Sequence, residues 1–169
     1  VTLMAPAFKD TSLLALADRL QRARLSHAGA LKTPLPDEIY NWATLRDEIS
    51  VAVCGAHMEG LALNHQLTEH GARLLQCART AASYRFYGLP GGPPHRPGLV
   101  RVESDGGAIE VEVWAVPSHE FGSFVAQIPA PLGIGKIELA DGSRVSGFIC
   151  EAFATQGAQD ITALGSWRT

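Results

Sequence analysis

Hydrophobic and polar positions alternate in short runs along most of this chain, which predicts strands more often than helices. Two stretches differ, residues 6–25 and 118–127, because their apolar residues recur at helical spacing. The predicted strands cover residues 51–54, 72–77, 84–89, 99–102, 109–116, 136–139 and 144–150, with a short helix or turn at 66–70. Asp-Gly pairs within residues 104–107 and 140–143 predict tight hairpins. The pattern predicts an α+β domain built on a small, mainly antiparallel β-barrel with short helices.

Proline-rich stretches divide the chain. Residues 27–36 combine small residues with proline, which predicts a linker after the N-terminal helix. Residues 37–49 are predicted to hold a further short helical piece. Because the chain begins at Val1 rather than at a methionine, we expect a fragment. Its residues 1–36 would end an upstream domain, and its residues 37–169 would form a domain of their own.

Composition narrows the classes of function. With 169 residues, 46% of them hydrophobic, the chain can bury one core. A net charge of −3 gives no basic surface for nucleic acid, and no apolar run approaches the roughly 20 residues that span a bilayer. We therefore expect neither nucleic acid nor a membrane as a partner. The sequence also lacks the glycine-rich phosphate and dinucleotide fingerprints, and no cofactor is expected.

The cysteines and most histidines give no sign of a metal site. Cys54, Cys77 and Cys150 lack metal-type spacing and have apolar neighbours, which predicts buried, reduced thiols in a cytoplasmic protein. The histidines expected at the surface or in loops, without ligand-like spacing, are His27, His65, His70, His95 and His119.

The most informative stretch is the end of the first predicted core strand. An apolar run from Val51 to Cys54 meets a turn that contains Gly55, His57 and Gly60. Glycine lets a ligand approach backbone N–H groups, and an imidazole titrates near neutral pH. His57 is therefore the leading candidate for proton transfer, with the alternative that it only hydrogen-bonds a neighbour. Cys54 continues the apolar strand and is expected in the core rather than as a nucleophile.

Other side chains could hold an anion. Arg96 lies in the proline- and glycine-rich segment 90–98, where a rigidly held guanidinium would suit a carboxylate; a solvated arginine is the alternative. Tyr84 and Tyr87 precede that segment and could line a pocket, although core packing is expected for at least one of them. Lys136 follows a second proline-rich segment and is a weaker candidate.

A series of motifs runs along the chain in the order found in a known family. The motif residues are Val53-Cys54-Gly55-Ala56-His57-Met58, Gly60-Leu61, Leu63-Asn64, Gln66-Leu67, Tyr84, Tyr87, Leu89-Pro90, Arg96-Pro97-Gly98-Leu99-Val100-Arg101-Val102, Glu112-Val113-Trp114, Ile128-Pro129, Pro131-Leu132-Gly133-Ile134-Gly135, Gly147-Phe148-Ile149-Cys150-Glu151, Asp160-Ile161-Thr162, Gly165 and Trp167-Arg168. This series strongly resembles the C-terminal domain of allophanate hydrolase over about residues 35–169. Residues 3–25 look like the end of the amidase-signature domain that precedes it in that family. The serine and lysine machinery of that amidase is absent from this chain, so we do not expect it to cleave allophanate itself.

The resemblance implies a γ-glutamylcyclotransferase-like fold and a role after the amidase reaction. In that family the amidase domain releases ammonia from allophanate and leaves N-carboxycarbamate. The C-terminal domain is thought to speed the breakdown of this dianion to carbon dioxide and a carbamate, which gives ammonia in urea and s-triazine nitrogen catabolism. The implied partners are therefore a small dicarboxylate and the upstream amidase domain of the same chain.

The chemistry of that dianion suits the residues already singled out. Carbon dioxide leaves easily once the nitrogen has gained a proton, so His57 is expected to act as the acid–base catalyst. The backbone of Gly55 and Ala56 and the side chain of Arg96 are expected to hold the carboxylates. The other predicted substrate-binding residues are Met58, Tyr87 and Lys136.

Two alternatives stay open. The domain could be a non-catalytic assembly module of the same enzyme, which forms a homodimer or docks partner enzymes. A γ-glutamylcyclotransferase activity is less expected, because the acidic residue that true cyclotransferases carry falls here near Gln127 and Ile128.

Overall fold

The computed structural model describes residues 2–4, 10–24, 27–28, 32–34 and 47–168. Contacts within the chain separate two units, Val1–Asp47 and Glu48–Thr169. The predicted domain boundary after residue 36 and the predicted helical piece before Asp47 lie outside the described residues. Among the described helices, none is long and apolar enough to cross a membrane.

The first unit contains the predicted N-terminal helix. Helix α1 spans Asp10–Arg24, and its last turn carries the basic residues Arg22 and Arg24, which suit the negative end of the helix dipole. Two short strands follow, β1 (His27–Ala28) and β2 (Thr33–Pro34), and they pair antiparallel. The described part of the predicted linker therefore contains a small strand pair.

The second unit contains most of the predicted strands close to their predicted positions. Its strands are β3 (Glu48–Val53), β4 (Arg73–Arg79), β5 (Tyr84–Gly88), β6 (Pro97–Arg101), β7 (Glu110–Pro117), β8 (Leu132–Glu138), β9 (Arg144–Cys150) and β10 (Gln159–Asp160). Its α-helices are α2 (Asn64–Glu69) and α3 (Ser118–Ala126). Both helices agree with the predictions, and Glu48 and Ile49, predicted to be helical, begin the first of these strands instead.

The strands form a five-stranded sheet in the order β4-β7-β3-β9-β8 and a three-stranded sheet in the order β10-β5-β6. The central pair β3 and β9 is parallel, and the other strand pairs are antiparallel, so the predicted mainly antiparallel α+β class is confirmed. A closed barrel is not confirmed. In the described sheet, β4 and β8 are separate edge strands, and a single bridge between Thr80 and Leu139 joins the chain just beyond them.

One predicted hairpin is wrong and the other is confirmed. Strand β6 pairs with β5, whereas β7 pairs with β3 and β4, so the strands on either side of residues 104–107 belong to different sheets. The N–H of Gly107 donates instead to the carbonyl of Tyr84 at 2.7 Å. Strands β8 and β9 pair antiparallel around residues 140–143, as predicted.

The alternation of side chains on β3 explains the layers of the second unit. Val51 and Val53 pack into a cluster with residues of α2 and α3, whereas Ala52 and Cys54 pack into a cluster with residues of β5 and β6. The five-stranded sheet therefore lies between the two helices and the three-stranded sheet. Trp167 packs against both clusters, so the C-terminal segment returns to the sheet as predicted.

One prediction about a cysteine is wrong, and the expectation that at least one tyrosine packs in the core is confirmed. Cys54 and Cys150 are buried as predicted, but Cys77 is exposed because β4 is an edge strand with most of its side chains in solvent. Tyr84 is the tyrosine that packs in the core. Its side chain is fully buried in the core, and its hydroxyl accepts a hydrogen bond from the N–H of Glu138 at 2.9 Å.

Candidate functional site

The loop that follows β3 is a compact turn held by its own hydrogen bonds. The N–H of Met58 donates to the carbonyl of Gly55 at 2.9 Å, and the N–H of Leu63 donates to the carbonyl of Ala56 at 2.8 Å. The side-chain amide of Asn64, at the start of α2, donates to the carbonyl of His57 at 2.9 Å. Within the described part of the chain, the N–H groups of Ala56 and His57 donate to no protein acceptor. They are therefore available to an anion.

A close contact at Gly55 brings this loop against the segment that carries Arg96. A Cβ atom at Gly55 would lie 2.5 Å from the Cγ and Cδ atoms of Pro97, so only glycine permits this approach. Arg96 directly precedes Pro97, and its carbonyl accepts a hydrogen bond from the N–H of Leu89 at 3.1 Å. The arginine is thus fixed at the base of its loop, beside the loop of His57.

His57 and Arg96 line two adjoining cavities, of about 30 Å³ and about 200 Å³. Gly55 and Ala56 line the smaller cavity, and both cavities have a largely apolar wall. The residues that line only the larger cavity are Gln66, Pro94, Phe124, Gln127, Ile128 and Pro129. Among the described residues, no aspartate or glutamate lines either cavity. A cavity with one permanent cation and no carboxylate suits an anionic ligand.

The ring of His57 is enclosed by aromatic side chains. It stacks on Phe148 with 4.9 Å between ring centroids and 28° between ring planes, and it meets Phe124 edge-on at 5.7 Å. Burial lowers the pKa of His57, and the positive charges of His65 and Arg96 lower it further. The hydrogen bond to Gln66 acts in the opposite direction and raises the pKa. This lowered pKa favours the neutral ring near pH 7.

Three of the predicted substrate-binding residues lie elsewhere. Met58 is fully buried in the core cluster between the five-stranded sheet and the helices. Tyr87 lies on β5, where its side chain is hydrogen-bonded to Arg85. Lys136 is exposed on β8, and its Nζ donates to the hydroxyl of Ser146 at 3.1 Å. None of the three lines the two cavities, so their positions give no support to a role beside His57.

Sequence reasoning missed the polar residues that complete the larger cavity. The Oε1 atom of Gln66 lies 2.8 Å from Nε2 of His57. Gln127 lines the same cavity, and its Nε2 atom lies 3.1 Å from Nε2 of His70. On its other side, Nδ1 of His70 lies 2.7 Å from Oε2 of Glu120. His70 is therefore half-buried and bonded rather than free at the surface. The residue type of a glutamine does not by itself indicate a functional site. The only sequence feature that could have identified Gln66 is its place in the motif series.

A buried carboxylate stabilises the loop of residues 55–60. Glu112 on β7 accepts hydrogen bonds from the N–H of Glu59 at 2.7 Å and from Nε1 of Trp114 at 3.0 Å. It also forms an ion pair with Arg168, which in turn donates to the carbonyl of Glu59 at 2.9 Å. Because its partners satisfy it, Glu112 acts as a support for residues 55–60 rather than as a free acid. In the described residues no group of histidine, cysteine or acidic side chains could hold a metal ion.

Comparison with known proteins identifies relatives of this chain. The family model described as the allophanate hydrolase C-terminal domain matches residues 49–169. The urea amidolyase of Saccharomyces cerevisiae is 37% identical over 99% of this chain, which spans only 10% of that much longer protein. A solved structure of a Kluyveromyces lactis allophanate hydrolase variant is 43% identical, with a TM-score of 0.69 over 72% of this chain and 20% of that one. A solved E. coli protein described as specific to uropathogenic strains is 40% identical, with a TM-score of 0.67 over 72% of this chain and 93% of that one.

Proposed function

Because this chain belongs to the family of allophanate hydrolase C-terminal domains, we propose that its cavity binds N-carboxycarbamate and promotes its breakdown to carbon dioxide and carbamate. The carbamate then loses its own carbon dioxide and gives ammonia. The proposed source of the substrate is an amidase domain of the same enzyme, which would form it from allophanate. The chain spans about a tenth of the urea amidolyases that it matches, which leaves room for such a domain in those proteins.

The observation that carries this proposal is that Arg96 and His57 face the same two cavities. A guanidinium binds a carboxylate through two parallel hydrogen bonds, and it keeps its charge at any working pH. The available N–H groups of Ala56 and His57 offer a second place for anionic oxygen. Together these groups suit a small molecule with two carboxylates close together.

The proposed reaction needs one proton on the central nitrogen. In N-carboxycarbamate that nitrogen carries one hydrogen and two carboxylates. A proton from His57 adds to the nitrogen, and the electron pair of one C–N bond then moves to nitrogen as carbon dioxide leaves. The products are carbon dioxide and a carbamate anion, so the loss of one negative charge is balanced by the added proton. His57 regains its proton from solvent before the next turnover.

The neutral state of His57 in the empty cavity fits this sequence. Burial and the charge of Arg96 lower the pKa of His57, so the free protein carries an uncharged ring. A bound dianion would reverse the local charge and raise that pKa, because an opposite charge within a few ångströms favours the protonated form. The substrate would therefore bring about the protonation that its own breakdown requires.

Titration with malonate tests whether the cavity holds a dicarboxylate. Malonate keeps both carboxylates and replaces the central nitrogen with carbon, so it binds without reacting. We expect NMR shifts at Gly55, Ala56 and His57 that saturate in the millimolar range or below. Arg96→Ala should abolish them, whereas Arg101→Ala, a change at an exposed arginine on β6, should leave them intact. Absence of saturable shifts in the parent protein would contradict the proposal.

The cavity also weighs against a cyclotransferase activity. Gln127 and Ile128 line the larger cavity at the position where the cyclotransferase carboxylate was expected, and neither can act as an acid or base.

A second candidate function, assembly, is favoured by a different observation. Strand β4 is an edge of the five-stranded sheet, and Leu75 on it is 42% exposed. If this edge pairs two copies, Leu75→Glu should convert a dimer into a monomer in analytical ultracentrifugation.

A further inference from the structure

We propose that Gln66 is a positioning residue that keeps Nε2 of His57 protonated, so that Nδ1 is the atom that takes up and delivers the proton. The inference deepens the proposed function, on which its kinetic part rests. Its first part concerns the unliganded protein and can be tested without any reaction.

The hydrogen-bonding chemistry of the pair determines which nitrogen carries the hydrogen. Oε1 of Gln66 lies 2.8 Å from Nε2 of His57, and an amide oxygen can only accept a hydrogen bond. Nε2 must therefore donate, in the neutral ring as well as in the charged one. In the neutral ring this leaves the lone pair on Nδ1, which has no partner among the described residues.

The surroundings of the ring prevent the two nitrogens from exchanging places. Phe148 covers one face of the imidazole, and Phe124 meets it edge-on. The backbone of His57 is held by Asn64, two residues before Gln66, so α2 supplies the side chains that fix both ends of the residue. A flip of the ring would break the bond to Gln66 and disturb a packed aromatic cluster.

An uncharged partner has a different effect from a carboxylate at the same place. The charged and polar groups that act on the ring are His65, Gln66 and Arg96, and the elements packed on its other sides present the two phenylalanines. A glutamate at position 66 would favour the imidazolium even in the empty cavity, because its negative charge stabilises the protonated ring. Glutamine orients the ring and leaves its charge to be decided by the ligand.

Nitrogen-15 NMR of the imidazole tests the first part directly. In the parent protein we expect the Nε2–H tautomer. Gln66→Leu should give a mixture of tautomers and a lower pKa of His57, because the supporting bond is lost. Gln66→Glu should raise the pKa of His57 by about 1–3 units. Gln76→Leu, the same change at an exposed position on β4, should alter neither property.

The kinetic part is read from the breakdown of N-carboxycarbamate formed by a separate amidase. Gln66→Leu should slow the accelerated reaction, and Gln66→Glu should shift its pH profile upward along with the pKa of His57. An Nδ1–H tautomer in the parent protein, or an unchanged tautomer and pKa in Gln66→Leu, would overturn the inference. If neither the parent protein nor any variant accelerates the breakdown of N-carboxycarbamate, the proposed function is contradicted, and the tautomer assignment still stands on the NMR result.

Discussion

Glu112 on β7 and Arg168 in the C-terminal segment form an ion pair inside the second unit, although 56 positions separate them. The side chain of Glu112 is 2% exposed, and that of Arg168 is 38% exposed. Both residues also bind the backbone of Glu59, so the pair connects the sheet, the C-terminal segment and the loop of His57. This arrangement explains how a loop rich in glycine keeps a defined shape.

Removal of the arginine should therefore destabilise the fold. We expect Arg168→Met to lower the free energy of unfolding by about 2–3 kcal/mol, since a buried carboxylate loses its charged partner but keeps two hydrogen bonds. Urea unfolding measures this change. Arg144→Met breaks an exposed ion pair with Glu138, so it should cost less than about 1 kcal/mol. Equal losses in the two variants would contradict a special role for Arg168.

The close contact at Gly55 gives a second prediction. In Gly55→Ala the added methyl group would meet the ring of Pro97, which must move and displace Arg96. We expect an affinity for malonate about tenfold weaker, equivalent to about 1.4 kcal/mol, and an overpacking cost of about 1–3 kcal/mol in stability. Isothermal titration and urea unfolding measure the two effects. Gly122→Ala on α3 adds a methyl group where no atom lies within 4 Å, so malonate binding should not change.

The sequence and the fold explain why the two key residues could be proposed separately but not as a pair. His57 could be chosen because it lies between glycines after an apolar strand, and Arg96 because proline and glycine brace its loop. That they line the same two cavities depends on the contact between Gly55 and Pro97, which joins loops far apart in sequence. Only the family resemblance indicated this proximity.

The mistakes have the same physical origin. The chain bends near the Asp-Gly pair at residue 105, but the partners of β6 and β7 are selected by side-chain packing across the whole fold. Alternation on β7 could not show that Glu112 is buried, because a central strand is covered on both faces. The pattern of residues on β4 could not show that Cys77 is exposed either. Its exposure follows from the position of β4 at the edge of the sheet, which is set by the order of the strands.

The positions of the cysteines give a third prediction. Burial raises the pKa of the Cys54 thiol to about 12 and also raises the pKa of Cys150, so both remain protonated and shielded near pH 8. The exposed Cys77 should react with a thiol reagent such as DTNB in the native protein. We expect one rapidly reacting thiol in the parent chain and none in Cys77→Ser. Rapid reaction of Cys77→Ser, which keeps Cys54 and Cys150, would contradict this prediction and show that the core opens readily.

The lowered pKa of His57 gives a fourth prediction, with a definite sign. Because the free ring has a pKa below its usual 6.5 and a bound dianion raises it, malonate binding takes up a proton. Affinity should be flat at high pH and should rise as the pH falls through the raised pKa of the complex. Calorimetry in buffers of different ionisation enthalpy measures the proton uptake. His57→Gln should bind malonate with no proton uptake, and persistent uptake would contradict the role of His57.

The rate at which N-carboxycarbamate disappears tests the central claim most directly. A separate amidase domain would generate the compound from allophanate, and rapid carbon-13 NMR would follow its decay with and without this chain. We predict that the parent protein accelerates the decay and that His57→Gln lowers the accelerated rate by about 10²–10⁴-fold, the usual contribution of one proton-transfer group. Malonate should inhibit the acceleration by the parent protein. An equal acceleration by His57→Gln would show that His57 does not transfer the proton, and no acceleration by the parent would contradict a catalytic role for the domain.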